Sequence, residues 1–154
     1  MILKVDLSKA FYQVSWLYLQ ILLTHPGFPY EFIKWIMSYI TNISFIVLVN
    51  GSTPPFFHFE RGLRKGCPLS QFLFLLVMEG LSRLIKEEHN RGRIKGIRII
   101  GSCILTHLLF VDDVLIFLNY GLGDLTALQH TITLFQTTTT MIINNTKSTI
   151  TTTG

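Results

Sequence analysis

A chain of 154 residues, 49% hydrophobic and only 14% charged, has room for one core and shows no sign of two domains; charged residues make up about a quarter of an ordinary soluble domain, so this apolar excess suits a core fragment without its covering domains. Two isolated cysteines, Cys67 and Cys103, exclude a disulfide framework or a zinc site. An N-terminus with Lys4 and Asp6 and no small-residue cleavage site does not read as a secretory signal, so an intracellular location, cytoplasmic or nuclear and not secreted, is expected. The net charge of +4 and pI near 9.2 favour contact with a polyanion, although the basic residues are scattered.

Along the chain, Ile2-Leu3-Lys4-Val5 opens as a strand that ends at Asp6, and an amphipathic helix is predicted over residues 12–23 before Thr24-His25-Pro26-Gly27 stops it. A second helix is predicted over 31–39. Residues 44–51 form a β-rich run ending in Asn50-Gly51, and 56–59 are expected to return beside it as a hairpin across 52–55. The stretch 36–59 carries no charge, which raises a membrane reading. Its Ser, Thr, Asn, Gly51 and Pro54-Pro55 break it well short of the roughly 20 apolar residues of a spanning helix.

From 70 to 89 the pattern is helical, with Phe74, Val77, Met78, Leu81, Leu84 and Ile85 on one core-facing stripe and Glu87 and Glu88 outside it. Arg91, Arg93, Lys95 and Arg98 then surround a connection into a strand over 96–100; such a cluster reads first as a solvated surface, and only second as a contact with phosphate. A helix over 121–139, a strand at Met141-Ile142-Ile143 and a Thr-rich end over 146–154 that frays complete the chain. Strands and helices in this mixed order give an α+β fold, an antiparallel sheet with helices packed on one face.

The run Leu108-Leu109-Phe110-Val111-Asp112-Asp113-Val114-Leu115-Ile116-Phe117 sets two adjacent carboxylates between two apolar segments. Burying either charge without a counter-charge is costly, so the apolar segments read as two buried strands and the Asp pair as the turn between them. A tight turn that merely tolerates Asp is the plain alternative. Asp6 weighs against it: a third strand-end carboxylate meeting the other two at one sheet edge makes a divalent-metal site.

At these residues the chain resembles the reverse transcriptases of LINE-type non-LTR retrotransposons, plant ones most closely. Asp6-Leu7-Ser8-Lys9-Ala10-Phe11, followed by Val14-Ser15-Trp16, resembles motif A. Arg61-Gly62-Leu63-Arg64-Lys65-Gly66-Cys67-Pro68-Leu69-Ser70 resembles motif B, Phe110-Val111-Asp112-Asp113 motif C, and Ile143-Asn144-Asn145-Thr146-Lys147-Ser148 motif D. The resemblance implies a polymerase palm, with residues 1–154 a partial reverse transcriptase domain whose fingers and thumb are missing or come from another chain. It implies RNA-directed DNA polymerase activity with an RNA template, a DNA primer and deoxyribonucleoside triphosphates as partners, and no membrane. Asp6, Asp112 and Asp113 would bind two Mg²⁺ ions, for which Mn²⁺ can substitute, and Lys147 would protonate the leaving pyrophosphate. Phe11 would face the sugar 2′ position, and Gly62, Lys65 and Gly66 would lie against nucleotide and template. Each has a plainer reading: Phe11 as a core aromatic, the glycines as a turn before a helix, Lys147 as a solvated lysine, Cys67 as a small packing residue.

The chain also departs from the family's pattern. Lys65 stands where these enzymes usually carry Gln, exchanging an amide that donates and accepts for a donor-only cation. Tyr12 replaces a common Asp, Gln71 a frequent Pro and Thr140 a frequent Gly. Two other readings therefore stand beside the polymerase: a non-catalytic remnant with at most weak nucleic-acid binding, and, from hydropathy alone, a small membrane-associated protein.

Overall fold

The computed structural model describes residues 1–45, 50, 57–119 and 121–152. Strand β1 (Ile2–Ser8) leads into a short helix α1 (Ala10–Gln13), then α2 (Trp16–Thr24) and α3 (Tyr30–Thr41). Strand β2 (Ser44–Phe45) pairs with β3 (Phe57–His58), so the expected hairpin begins and ends as predicted, while 46–49 and 51–56 lie outside the described residues. Helix α4 (Pro68–Asn90) follows, then the small hairpin β4 (Ile97–Arg98) and β5 (Ile104–Leu105). Strands β6 (His107–Phe110) and β7 (Asp113–Phe117), helix α5 (Leu122–Thr139), β8 (Ile142–Ile143) and β9 (Thr149–Thr151) complete it. Every strand pair described is antiparallel, in keeping with the α+β architecture expected.

The main sheet runs β6-β7-β1, with β8 and β9 sharing the far side of β1. Alternation along β1 sorts its side chains: Val5 and Leu7 are buried, while Lys4 is exposed and Asp6 only half-buried on the other face. Val5 pairs with Val114 and Leu3 with Ile116. Their core face joins the stripe Leu73, Phe74, Val77, Met78, Leu81 and Ile85 of α4 and Ala127, Leu128 and Phe135 of α5 in one cluster. Each such side chain removed from water contributes about 1.5–3 kcal/mol. Helix α4 is also the one described helix long and apolar enough to cross a bilayer; its apolar stripe is spent on this core.

Four expectations change. The helix predicted over 12–23 is broken at Val14-Ser15, because the Val14 carbonyl accepts the Gly62 N–H (2.8 Å) and the Ser15 hydroxyl starts α2 by accepting the Tyr18 N–H. The two strands flanking the Asp pair are not both buried: β6 is the sheet's outer strand and leaves Leu108 and Phe110 exposed. Glu88 lies inside, at 7% exposure, where Arg93 holds its carboxylate at 2.6 Å and its carbonyl caps the helix end by accepting the Arg93 and Ile94 N–H groups. The Thr-rich end does not simply fray, since β9 pairs Thr149, Ile150 and Thr151 with Lys4, Leu3 and Ile2; 153–154 lie outside the described residues.

Thr140 holds a left-handed φ of 61° that a β-branched residue adopts only under strain. Its hydroxyl donates to the Gln13 carbonyl at 2.6 Å, fastening the end of α5 to the end of α1.

The outer strand β6 is tied to α4 through His107, whose Nε2 meets the Ser82 hydroxyl and whose Nδ1 meets the Thr106 hydroxyl, both at 2.9 Å. Burial holds this imidazole below its ordinary 6.5, Lys86 pushes the same way, and Glu79 opposes them. The unfolded chain therefore takes up the proton first. Stability from this group is full above 6.5 and is lost as pH falls through that value toward the depressed folded one. The melting temperature is expected to fall over this interval, and His107→Gln to flatten the fall; an unchanged slope in the variant would remove His107 as its cause.

Candidate active site

The antiparallel register sets Asp6 directly opposite Asp113. Phe110 pairs with Asp113 across the two-residue turn Val111-Asp112, so the turn of the hairpin is Val-Asp, one residue earlier than the Asp pair itself. Val111 sits at φ 56°. A two-residue hairpin needs positive φ at its first central position, and a β-branched residue there carries strain of order 1–3 kcal/mol.

On its other side β1 is paired at both ends but not in the middle. β8 meets Leu7 and Ser8, β9 meets Ile2 to Lys4, and the chain between them loops out at Asp6. The loop satisfies the freed backbone: the Ser148 hydroxyl accepts the Asp6 N–H (3.2 Å), and the Asn144 N–H donates to the Asp6 carbonyl (2.8 Å). This detour brings Lys147 to the carboxylates.

A cleft of about 370 Å³ results, lined by Asp6, Lys9, Phe11, Lys65, Asp112 and Lys147, with Asn144 and the residues between Asp6 and Phe11. Phe11 stacks on Phe74 (centroids 4.4 Å apart, planes 15° apart) and packs against the core while facing the cleft. An adjoining cavity of about 390 Å³ shares Phe11 and Lys65 and adds Gly66, Gln71 and Val111. The Lys65 ammonium lies over the Tyr12 ring, 5.4 Å from its centroid.

Of the predicted residues, Asp6, Asp112, Phe11, Lys65 and Lys147 therefore share one space, and Gly66 borders it. Asp113 does not line it; its Oδ1 is held by Lys4 at 3.3 Å. Gly62 stands apart as a structural glycine. Lys9, at φ 48°, is a lining residue that motif reading missed, since nothing in its sequence neighbourhood signals a left-handed backbone.

Among the described residues no three acidic, His or Cys side chains gather into a closed metal cage. Two carboxylates on one cleft still fit Mg²⁺, which takes one or two of them and completes its octahedron with water and substrate phosphate. A larger cavity, about 680 Å³, lies elsewhere, beside Arg93, Lys95 and His130. The Asp124 carboxylate there is engaged by the Lys95 and Asn119 N–H groups.

Cys67, expected to be a packing residue, is half-buried at the position that starts α4. The Tyr39 hydroxyl at 3.2 Å lowers the thiol to about 7, helped by the Ser70 and Leu69 N–H groups, and the same bond raises Tyr39.

Gly62 has φ 97°, and a Cβ there would stand 2.7 Å from the Tyr12 carbonyl oxygen and 2.9 Å from its Cα, both backbone. Gly62→Ala is expected to destabilise the chain by about 2 kcal/mol or more. Gly66, with a φ of 81° but open space around it, bears only the backbone part of that cost when changed to Ala. Equal losses in denaturant melts of the two variants would contradict the close approach at Gly62.

With the site described, comparison places the chain among known proteins. The family described as reverse transcriptase (RNA-dependent DNA polymerase) matches residues 1–153. The chain is 26% identical over 136 residues, 88% of its length, to the Pol polyprotein of the type-1 retrotransposable element R2 of Popillia japonica, and covers 22% of that protein. It is 42% identical over 69 residues to an uncharacterized mitochondrial protein of Arabidopsis thaliana, 44% of this chain and 57% of that one. Solved structures of telomerase from Candida tropicalis share its fold: the apo enzyme truncated from its C-terminal domain at a TM-score of 0.69 and 15% identity, and a complex with a fragment of telomeric RNA at 0.67 and 13%. Both likenesses cover 96% of this chain, but only 30% and 25% of those. The chain thus spans a part of each relative's length, and by sequence and fold it belongs to the reverse transcriptase family.

Proposed function

We propose that the chain is the palm of an RNA-directed DNA polymerase of the non-LTR retrotransposon type, adding deoxyribonucleotides to a DNA primer on an RNA template. The observation that carries this reading is the meeting of Asp6 and Asp112 in one cleft with Phe11, Lys65 and Lys147. In this reading Asp6 and Asp112 hold two Mg²⁺ or Mn²⁺ ions, while Asp113 stays with Lys4 outside the cleft; when bound, such ions activate the attacking 3′ hydroxyl and stabilise the leaving pyrophosphate oxygen. Phe11, fixed against Phe74, walls the sugar pocket on its 2′ side. Gly66 leaves room for nucleotide and template against the backbone. Lys65 donates toward phosphate, and the exposed Lys147 offers a proton to the departing group.

A non-catalytic remnant is the second reading, favoured by Lys65: its ammonium rests on Tyr12, where the family carries an amide.

Metal binding tests the site. At Mn²⁺ a hundredfold above its dissociation constant, linkage gives about 2.7 kcal/mol of stabilisation, a rise in melting temperature of roughly 5 °C or more for a chain of this size. Asp112→Asn is expected to reduce the rise, and an identical response in both proteins would count against the carboxylate site.

Primer extension separates the two readings. Phosphoryl transfer needs positioning as well as charge, so the 154-residue chain by itself is expected to show no measurable extension. Robust Mg²⁺-dependent extension of a DNA primer on RNA, abolished by Asp112→Ala, would overturn that expectation and eliminate the remnant.

A further inference from the structure

The motif B loop separates two spaces. Residues 65 and 66 line the carboxylate cleft and its neighbour, whereas residues 61–64 line a third cavity that shares no residue with either. This cavity measures about 150 Å³ and is walled by Tyr12, Trp16, Ile40, Phe59, Arg61 and Arg64. Liquid water takes up about 30 Å³ per molecule, so the space equals roughly five waters. That suits a single planar ring system and is well below the about 300 Å³ at which pockets for drug-sized ligands begin.

Its chemistry is one-sided. Tyr12, Trp16 and Phe59 supply aromatic surface, no carboxylate among the described residues lines the space, and the exposed Arg61 and Arg64 supply positive charge. The ion pairs among the described residues use Lys4, Arg83, Arg91 and Arg93, leaving both of these guanidiniums outside them. The Trp16 indole is fixed in place: its Nε1–H donates to the Gly62 carbonyl at 2.8 Å, while the Gly62 N–H donates to Val14 at 2.8 Å. A stacking surface held this way loses little freedom when a ligand arrives.

We propose that this cavity receives one unpaired base of a single-stranded RNA, stacked against the aromatic wall, with Arg61 and Arg64 on the flanking phosphates. Aromatic platforms beside cationic side chains are the general means of gripping single strands without reading sequence. The occupant is continuous with the template proposed for the neighbouring cleft, and the inference rests on that reading. The cavity then fixes the strand's position on the far side of the loop that carries Lys65.

Trp16 reports on its own cavity once the second tryptophan, exposed Trp35, is changed by Trp35→Phe. The full chain carrying that change is titrated with an end-labelled single-stranded RNA of about a dozen nucleotides, a length within the range of single-strand sites. Anisotropy of the label and Trp16 emission are read together. Saturable quenching at the same midpoint as the anisotropy is expected, with no quenching by a fully abasic strand of the same length and none by the matching duplex. Arg61→Gln with Arg64→Gln is expected to weaken binding about tenfold at low salt and to flatten its salt dependence. RNA binding by anisotropy with Trp16 emission unchanged, or quenched equally by the fully abasic strand, would overturn the base cavity and leave the template reading intact. Absence of RNA binding would overturn both. A Trp16 signal that changes with protein concentration alone would assign the cavity to a second copy of the chain and overturn the proposal.

Discussion

The antiparallel ladder between β1 and β7 is the constraint on which the rest of the molecule depends. Val5 opposite Val114 and Leu3 opposite Ile116 direct one face of both strands into the helices, and the period of two then obliges Asp6 and Asp113 to share the other face. A slip of one residue would bury the carboxylates and expose the valines. Burial of apolar surface, with no direct interaction between acidic groups, thereby brings two like charges opposite each other. Lys4 offsets part of this repulsion by holding Asp113 from the same face, although both groups are about half exposed and the pair contributes little by itself.

Around this ladder the chain uses interruptions of regular structure as positioning devices. A continuous helix over 12–23 would satisfy its own backbone; the break at Val14 instead gives the motif B loop two anchors, Gly62 to Val14 and Leu63 to Phe11. The side of β1 away from β7 is likewise interrupted at Asp6, whose backbone is satisfied by the loop carrying Lys147. Left-handed residues stand at three further junctions: Lys9 between β1 and α1, Val111 in the β6–β7 turn and Thr140 after α5. Such strain persists only where the surrounding bonds over-determine the backbone; Lys9 lines the cleft and Val111 the adjoining cavity.

The cleft that results has mixed charge, with Asp6 and Asp112 set among Lys9, Lys65 and Lys147. Carboxylates favour a cation and ammonium groups favour phosphate, so the cleft offers both kinds of contact within one space. Among the described residues the third cavity has no acidic wall, and successive residues of the motif B loop line the two spaces, 61–64 the cavity and Lys65 the cleft. Two neighbouring spaces of different electrostatic character thus lie along one stretch of backbone.

The sequence by itself determined a good deal. The apolar stripe of α4, the strand before Asp6, the hairpin at Asp112 and the four motifs in order are local patterns, and local patterns survive in one dimension because periodicity and turn chemistry act over a few residues. Family membership followed from those strings. What the tertiary structure alone decided depends on partners distant in sequence. In sequence Glu88 has the pattern of an outer residue because its inward turn requires Arg93 beyond the helix end; the tail has the composition of a fraying end because its pairing partner lies at Ile2 to Lys4. Helix propensity favoured one helix where a carbonyl owed to Gly62 made two. Lys9 in the cleft, Asp113 tied to Lys4 and the aromatic cavity behind motif B likewise arise from contacts between segments, whose energies no window along the chain contains.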